Sequence, residues 1–221
     1  MKRLKQTISL VCGLLLTLAA NAVFAQEKKV EVNKMPFIDF AQMLKEKTDA
    51  EAVDLTKSFS VELEGVLTKD GKFDPKQSNF TKESGDAAMV KVGKDSIIAV
   101  GDSGFFNYLK DFGVEKFRLM LVQDDKQIYA NIVSELETPE RTKTLASLLN
   151  TLMRMLPMVD KAKTDKGKEG LDDDQKILVG GLNVKSEGKS LTINFAYEKS
   201  VIQEMINRRL KAIESKQPAS E

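Results

Sequence analysis

The side chains that most often perform acid–base or nucleophilic catalysis are almost missing from this sequence. Its 221 residues contain no histidine, and the single cysteine, Cys12, lies near the N-terminus. Histidine is the commonest general base, histidine and cysteine are the commonest zinc ligands, and cysteine is the thiol nucleophile. Because the chain beyond Cys12 has neither residue, most catalytic arrangements are excluded there. Carboxylates and serines are the residues left to examine for chemistry.

The acidic run Asp172-Asp173-Asp174, with Glu169 nearby, is the strongest candidate for a metal site. Carboxylate oxygens are the ligands that Ca²⁺ prefers. The run lacks the alternating ligand spacing and the turn glycine of a calcium loop. We therefore favour a charged, solvated linker over a calcium site.

Two other polar groups favour structural interpretations over catalysis. Asp124 and Asp125 are typical turn residues, which we prefer to a catalytic carboxylate pair. Ser103 lies within a Gly-Asp-Ser-Gly segment, but it has no general base to activate it and the G-x-S-x-G spacing is not met. We predict no catalytic residue and classify the protein as a non-enzyme.

Glycine and methionine groups were the remaining candidates for ligand binding. Gly85 and Gly93 have neither the P-loop nor the dinucleotide-binding spacing. Met153, Met155 and Met158 could line an apolar groove, because methionine adapts to irregular surfaces, but we favour core packing. We predict no cofactor-binding and no metal-binding residue.

The N-terminus has the three-part layout of a secretory signal peptide. Three basic residues among the first five precede an apolar run at 8–20 and then a small-residue segment. Val23 and Ala25 have the spacing that a signal peptidase recognises, so we expect cleavage after Ala25. The apolar run is shorter than the roughly 20 residues of a spanning helix. We predict a signal peptide at residues 1–25 and a periplasmic or secreted protein that does not span a membrane after cleavage.

The exported chain is nearly neutral and lacks cysteine. The sequence has 34 Lys and Arg against 33 Asp and Glu, and removal of residues 1–25 leaves 31 basic side chains against 33 acidic ones. Nucleic-acid binding draws on a surplus of basic residues on one face, which this composition does not offer. Disulfides are unavailable to it, so the core alone must stabilise the fold.

Three segments share one order of elements: two strands with alternating apolar residues, followed by an amphipathic helix. Helix starts are indicated by Asp86 and Thr138 as N-caps and by the capping-box spacing of Ser200 and Gln203. Pro157 is expected to end the second helix. Hairpins alternating with helices predict an α+β fold, with an antiparallel sheet covered by helices on one face. The three ββα units are predicted at residues 59–115, 116–159 and 182–214.

The segments outside these units are predicted as connections. Residues 26–58 form an N-terminal segment with a short helix that begins at Pro36. Residues 160–181 form a charged linker with room for a short helix, and residues 215–221 form a disordered tail.

The first unit resembles the C-terminal domain of TonB-type proteins. The similar stretches are Phe-Ser-Val-Glu-Leu-Glu-Gly at 59–65, Lys-Asp-Gly-Lys at 69–72 and Lys-Glu-Ser-Gly-Asp at 82–86, with 117–122 as the third strand of that family. The resemblance spans residues 59–122. The chain as a whole resembles exported envelope proteins of the same layout, a family of unknown function.

This resemblance implies a small sheet whose edge pairs with a strand of a partner. TonB-type energy coupling needs a retained anchor with a histidine and a proline-rich spacer, whereas this chain has no histidine and five prolines. We therefore predict a TonB-like fold without energy transduction.

Two functions remain open at this point. The first is a non-enzymatic envelope module that binds a protein partner by sheet-edge pairing or by the methionine-rich helix end. The second is a periplasmic carrier or sensor of an apolar ligand. A carrier requires a closed apolar cavity, and a binding module requires an exposed edge or patch.

Overall fold

The computed structural model describes residues 33, 35–74, 76–104, 106, 109–110, 112–164 and 171–214. Within these ranges the chain forms five helices and six strands. In chain order they are α1 (Met35–Asp49), β1 (Phe59–Val66), β2 (Asn79–Gly85), α2 (Ala87–Asp102), β3 (Lys116–Gln123), β4 (Gln127–Glu135), α3 (Pro139–Thr164), α4 (Asp173–Gly180), β5 (Leu182–Glu187), β6 (Ser190–Glu198) and α5 (Lys199–Glu214).

The six strands form one sheet in the order β2-β1-β3-β4-β6-β5, and every neighbouring pair is antiparallel. The prediction of a mixed α+β fold with an antiparallel sheet is confirmed. Strands β2 and β5 lie at the two edges. Whether the three hairpin-and-helix segments are repeats of one unit stays a prediction.

One face of the sheet forms the core. Because side chains alternate between the faces of a strand, Phe117, Leu119 and Leu121 of β3 point the same way, and all three are buried. They belong to one hydrophobic cluster with buried side chains of the helices, such as Ile97 of α2 and Ile202 of α5. The helices therefore pack on this face.

Two of the three predicted helix starts are correct. The Asp86 carboxylate accepts the Met89 N–H at 3.0 Å, and the Thr138 hydroxyl accepts the Arg141 N–H at 3.2 Å. The third is wrong, because α5 begins at Lys199 and the Gln203 amide donates to the Leu55 carbonyl oxygen at 2.8 Å. A tertiary contact thus takes the side chain that the capping box required.

Pro157 does not end the helix of the second predicted unit, which is α3, and this changes two predicted boundaries. Helix α3 runs through Pro157 to Thr164, so residues 160–164 of the predicted linker are helical. Proline removes one N–H and disturbs the preceding turn, which kinks a helix as often as it ends one. Leu152 and Leu156 are buried, and their packing holds that preceding turn in place.

The predictions for residues 1–25, 165–170 and 215–221 lie outside the described residues. Among the helices that the structure describes, none combines the length and the apolar character needed to cross a membrane.

Candidate binding edge

The acidic run begins helix α4. The Asp172 carboxylate accepts the Gln175 N–H at 2.8 Å, and the Gln175 side chain accepts the Asp172 N–H at 2.9 Å. This reciprocal pair is a capping box. The short helix predicted within residues 160–181 is therefore present. Asp172 and Asp173 are solvated as predicted, whereas Asp174 is not.

Asp174 is the buried member of the run and binds two arginines of α5. Its oxygens accept hydrogen bonds from Arg208 and Arg209, both at 2.5 Å, and Arg209 also reaches Asp172 at 2.9 Å. We call these four residues the acid–arginine cluster. Burial alone would lower the pKa of Arg209, but its hydrogen bond to Asp172 and the charges of both aspartates raise that pKa above its ordinary value.

The cluster uses the carboxylates for packing α4 against α5. The third member, Asp173, points to solvent with 95% of its side chain exposed. Across the part of the chain that the structure describes, no group of three or more acidic, histidine or cysteine side chains could hold a metal ion. The run therefore fits a structural ion cluster.

The other two polar candidates, the Asp124–Asp125 pair and Ser103, make local structural hydrogen bonds. The Asp124 carboxylate accepts the N–H groups of Gln127 and Lys126, both at 2.7 Å, and these bonds lower its pKa. Asp125 accepts the Ser58 hydroxyl at 3.2 Å. Ser103 is buried and donates to the Val100 carbonyl oxygen at 2.6 Å. The turn interpretation of the aspartates is confirmed.

The methionines do not all pack in the core. Met153 is partly buried against the core cluster, whereas Met155 is 47% and Met158 72% exposed. The core-packing prediction is therefore wrong for Met155 and Met158. They place two apolar side chains, three residues apart on α3, in solvent-exposed positions.

An open cleft of about 350 Å³ lies beside the segment that joins α1 to β1. Side chains from distant elements fix this segment: the Leu55 carbonyl oxygen accepts the amides of Gln123 and Gln203 at 2.8 Å, and the Thr56 carbonyl oxygen accepts the Lys199 ammonium at 2.5 Å. The lining combines the acidic residues Glu51 and Asp54, amides and hydroxyls with the apolar residues Val53 and Leu55. The cleft is open, whereas a carrier requires a closed apolar cavity.

One edge of the sheet, β5, is partly covered by a helix, although four of the six residues of this strand are exposed. Helix α3 packs along β5, and the Asn150 side-chain amide donates to the Val184 carbonyl oxygen at 3.0 Å. Covering an edge strand in this way satisfies a backbone group that would otherwise be free to pair with another strand. No sequence pattern predicted this contact, because Asn150 and Val184 are 34 residues apart.

The opposite edge, formed by β2, has a different environment. Six of its seven residues are exposed, and Phe80 is partly buried. Strand β2 pairs on one side with β1, and no described strand pairs with its other side. The structure therefore presents an exposed edge about seven residues long.

The hydrogen-bond pattern shows which residues of β2 direct their backbone groups outward. The Asp86 N–H donates to the Ser58 carbonyl oxygen at 3.0 Å, and the register continues with Ser60 opposite Ser84. Backbone groups alternate in direction along a strand, so Ser84 and Lys82 point toward β1. Glu83, between them, presents its N–H and C=O groups at the outer edge. The Gly85 C=O also points outward, because the Asp86 N–H of the same peptide points toward β1, although Gly85 itself has a φ of 99°.

Charged side chains lie on both faces of this edge. Lys82 pairs with Glu62 of β1 at 3.3 Å and has 73% of its side chain exposed. Glu83 pairs with Lys94 of α2 at 2.7 Å, and the Lys94 ammonium lies 4.8 Å from the centre of the Phe80 ring. The edge thus carries one basic and one acidic residue side by side.

A scan against protein-family models, a search of curated proteins and a search of solved structures each found no match to this chain. The resemblance of residues 59–122 to the TonB C-terminal domain therefore stays a prediction.

Proposed function

We propose that this chain is an exported, non-enzymatic protein-binding module of the cell envelope. Its partner, an envelope protein, adds a strand to the outer edge of β2 by β-augmentation. Export rests on the signal peptide predicted at residues 1–25. The sheet is TonB-like, and the module works without energy transduction.

The difference between the two sheet edges is the observation that supports this proposal. Asn150 of α3 occupies the Val184 carbonyl oxygen at the β5 edge, whereas the outward groups of Glu83 and Gly85 have no such cover among the described residues. Main-chain hydrogen bonds supply the affinity in strand addition. The β2 edge is thus the surface that suits a partner strand.

A proline at position 83 tests the proposal. Because the Glu83 N–H points outward, Glu83→Pro removes a donor from the outer edge and leaves the β1–β2 hydrogen bonds in place. Glu83→Ala is the matched control, since it removes the charge and keeps the N–H. Both variants are expected to keep the far-ultraviolet circular dichroism of the parent.

The measurement is affinity capture of envelope proteins with the parent and the two variants as bait. We expect a protein that is retained by the parent and by Glu83→Ala and is lost with Glu83→Pro. Identical capture by all three baits, or no specific capture by the parent, would refute pairing at β2.

The cleft described above does not favour the alternative of an apolar-ligand carrier. This cleft beside residues 53–57 is open, and Glu51 and Asp54 lie in its lining together with Val53 and Leu55. Carboxylates at the surface of a cleft disfavour an apolar occupant, because they lose hydration without gaining a partner.

A further inference from the structure

The adjacent charges of Lys82 and Glu83 specify what kind of strand the β2 edge accepts. We infer that the partner strand runs antiparallel to β2 and places an acidic residue opposite Lys82 and a basic residue opposite Glu83. Read from its N-terminus, the partner then carries a basic residue followed directly by an acidic one. This inference rests on the proposed function.

The direction of the partner strand follows from the sheet. All five strand pairs are antiparallel, and an antiparallel addition continues the same hydrogen-bond pattern. The outward groups of Glu83 make position 83 a hydrogen-bonded pair with the new strand. Position 82 is then a non-hydrogen-bonded pair, in which opposite side chains are closer.

The charges at these positions distinguish between partner sequences. Opposite charges directly across an antiparallel pair are favourable, and like charges are unfavourable. Lys82 is largely exposed, so its ammonium can bind a carboxylate of the new strand while Glu62 stays on its other side. Glu83 pairs with Lys94 through its Oε1 oxygen. A basic residue opposite Glu83 can bind the Oε2 oxygen of the same carboxylate. An acidic residue at that position would face a like charge.

The same charges disfavour the two registers in which a second copy of this chain would pair along most of β2. A two-fold axis that aligns the whole of β2 with its symmetry mate puts Lys82 opposite Lys82. A register centred one residue later puts Glu83 opposite Glu83. Like charges at the centre oppose both pairings, whereas a strand from a different protein can carry the complementary order.

Regular pairing is limited to one part of the strand. The register shifts between Glu62 and Leu63 and leaves Thr81 as the extra residue of β2. Such a bulge interrupts a ladder. The partner is therefore read mainly at positions 82–85, where both charges lie.

Two synthetic peptides of identical composition test the charge order. The first is Thr-Val-Thr-Lys-Glu-Val-Thr, and the second exchanges the central pair to give Thr-Val-Thr-Glu-Lys-Val-Thr, both with blocked ends. The two valines of each peptide are four residues apart and lie on the same face of a strand. They oppose a one-residue slip, because a slip moves both to the other face. Nuclear magnetic resonance titration of the purified protein reports binding through its amide signals and their hydrogen exchange.

We expect the Lys-Glu peptide to bind about five to ten times more tightly than the Glu-Lys peptide. The amide of Glu83 should gain protection, whereas those of Lys82 and Ser84 already bond to β1. The double variant Lys82→Glu/Glu83→Lys should reverse the preference. Lys185→Glu, on the covered edge, is the control that leaves it unchanged.

The outcomes separate this inference from the proposed function. Equal binding of both peptides, with protection of the Glu83 amide, would overturn the charge order and leave edge pairing intact. No protection of this amide would overturn both. Dimers of the protein alone in sedimentation, abolished by Glu83→Pro, would show that a second copy is the occupant and would overturn the inference.

Discussion

Replacing Asp174 by alanine tests whether the acid–arginine cluster stabilises the fold. Asp174 is 9% exposed and joins α4 to α5 through two charge-assisted hydrogen bonds of 2.5 Å. Bonds of this type contribute about 1.5–3 kcal/mol each, but Arg208 is half exposed and its share is screened by water. Arg209 would keep Asp172 as a partner. We therefore expect a loss of about 2–3 kcal/mol in the free energy of unfolding.

Asp173→Ala is the matched control for this variant. Asp173 also lies in the first turn of α4, so both substitutions remove a negative charge from the same helix N-terminus. The helix-dipole contribution is about 0.3–1 kcal/mol and is common to both. Asp173 also has an exposed ion pair with Lys176 at 3.9 Å, which is weak in water. The difference between the two variants then measures mainly the buried cluster.

Urea denaturation followed by circular dichroism provides the measurement. With a slope of about 2 kcal/mol per molar urea, Asp174→Ala should move the midpoint down by about 1–1.5 M. Equal midpoints for the two variants would refute a stabilising cluster. A rise of the parent midpoint on adding calcium that disappears in Asp174→Ala would restore the metal-site interpretation of the run.

Three further predictions follow from the structure and the sequence. The pKa values of Asp54, Asp74 and Asp124 are lowered mainly by hydrogen bonds from their own turns, so their stabilising contribution is complete above the ordinary value of 3.8 and is lost as the pH falls below it. Because the chain has no histidine, urea midpoints measured between about pH 5.5 and pH 8 should be constant, and a change there would contradict this account. Glu51 has a φ of 53°, in the left-handed region that favours glycine, so Glu51→Gly should raise the unfolding free energy by about 0.5–1 kcal/mol and the melting temperature by about 1–4 °C; a lower melting temperature would count against strain at this residue. Mass spectrometry of the exported protein should show Gln26 as the first residue, and retention of Met1 would disprove the predicted cleavage.

The sequence contained the signals for the local elements of the fold. Alternation of Phe117, Leu119 and Leu121 predicted β3 because one face of the strand is buried. Asp86 and Thr138 predicted two helix starts because an N-cap bonds to an N–H only three residues away. Such features depend on neighbours along the chain and can be read without the tertiary structure.

The contacts that cover β5 and that join α4 to α5 link residues far apart in the chain and could not be predicted in this way. Asn150 bonds to Val184, 34 residues away, and Asp174 bonds to Arg208 at the same separation. A run of three aspartates looks solvated unless the two arginines of α5 are known to face it. One local signal was overlooked: Asp172 and Gln175 have capping-box spacing, which indicates where the short helix predicted within residues 160–181 begins.

The unequal edges of the sheet have a consequence for assembly. A sheet with two exposed edges can add strands at both ends and grow into an open-ended fibre. Here α3 lies along β5 with Asn150 bonded to its backbone, so growth through β5 is obstructed. A strand that joins at β2 then ends the sheet unless that strand brings an exposed edge of its own. The limit on the size of the assembly is thus set by the partner, and one partner strand per copy is the expected stoichiometry.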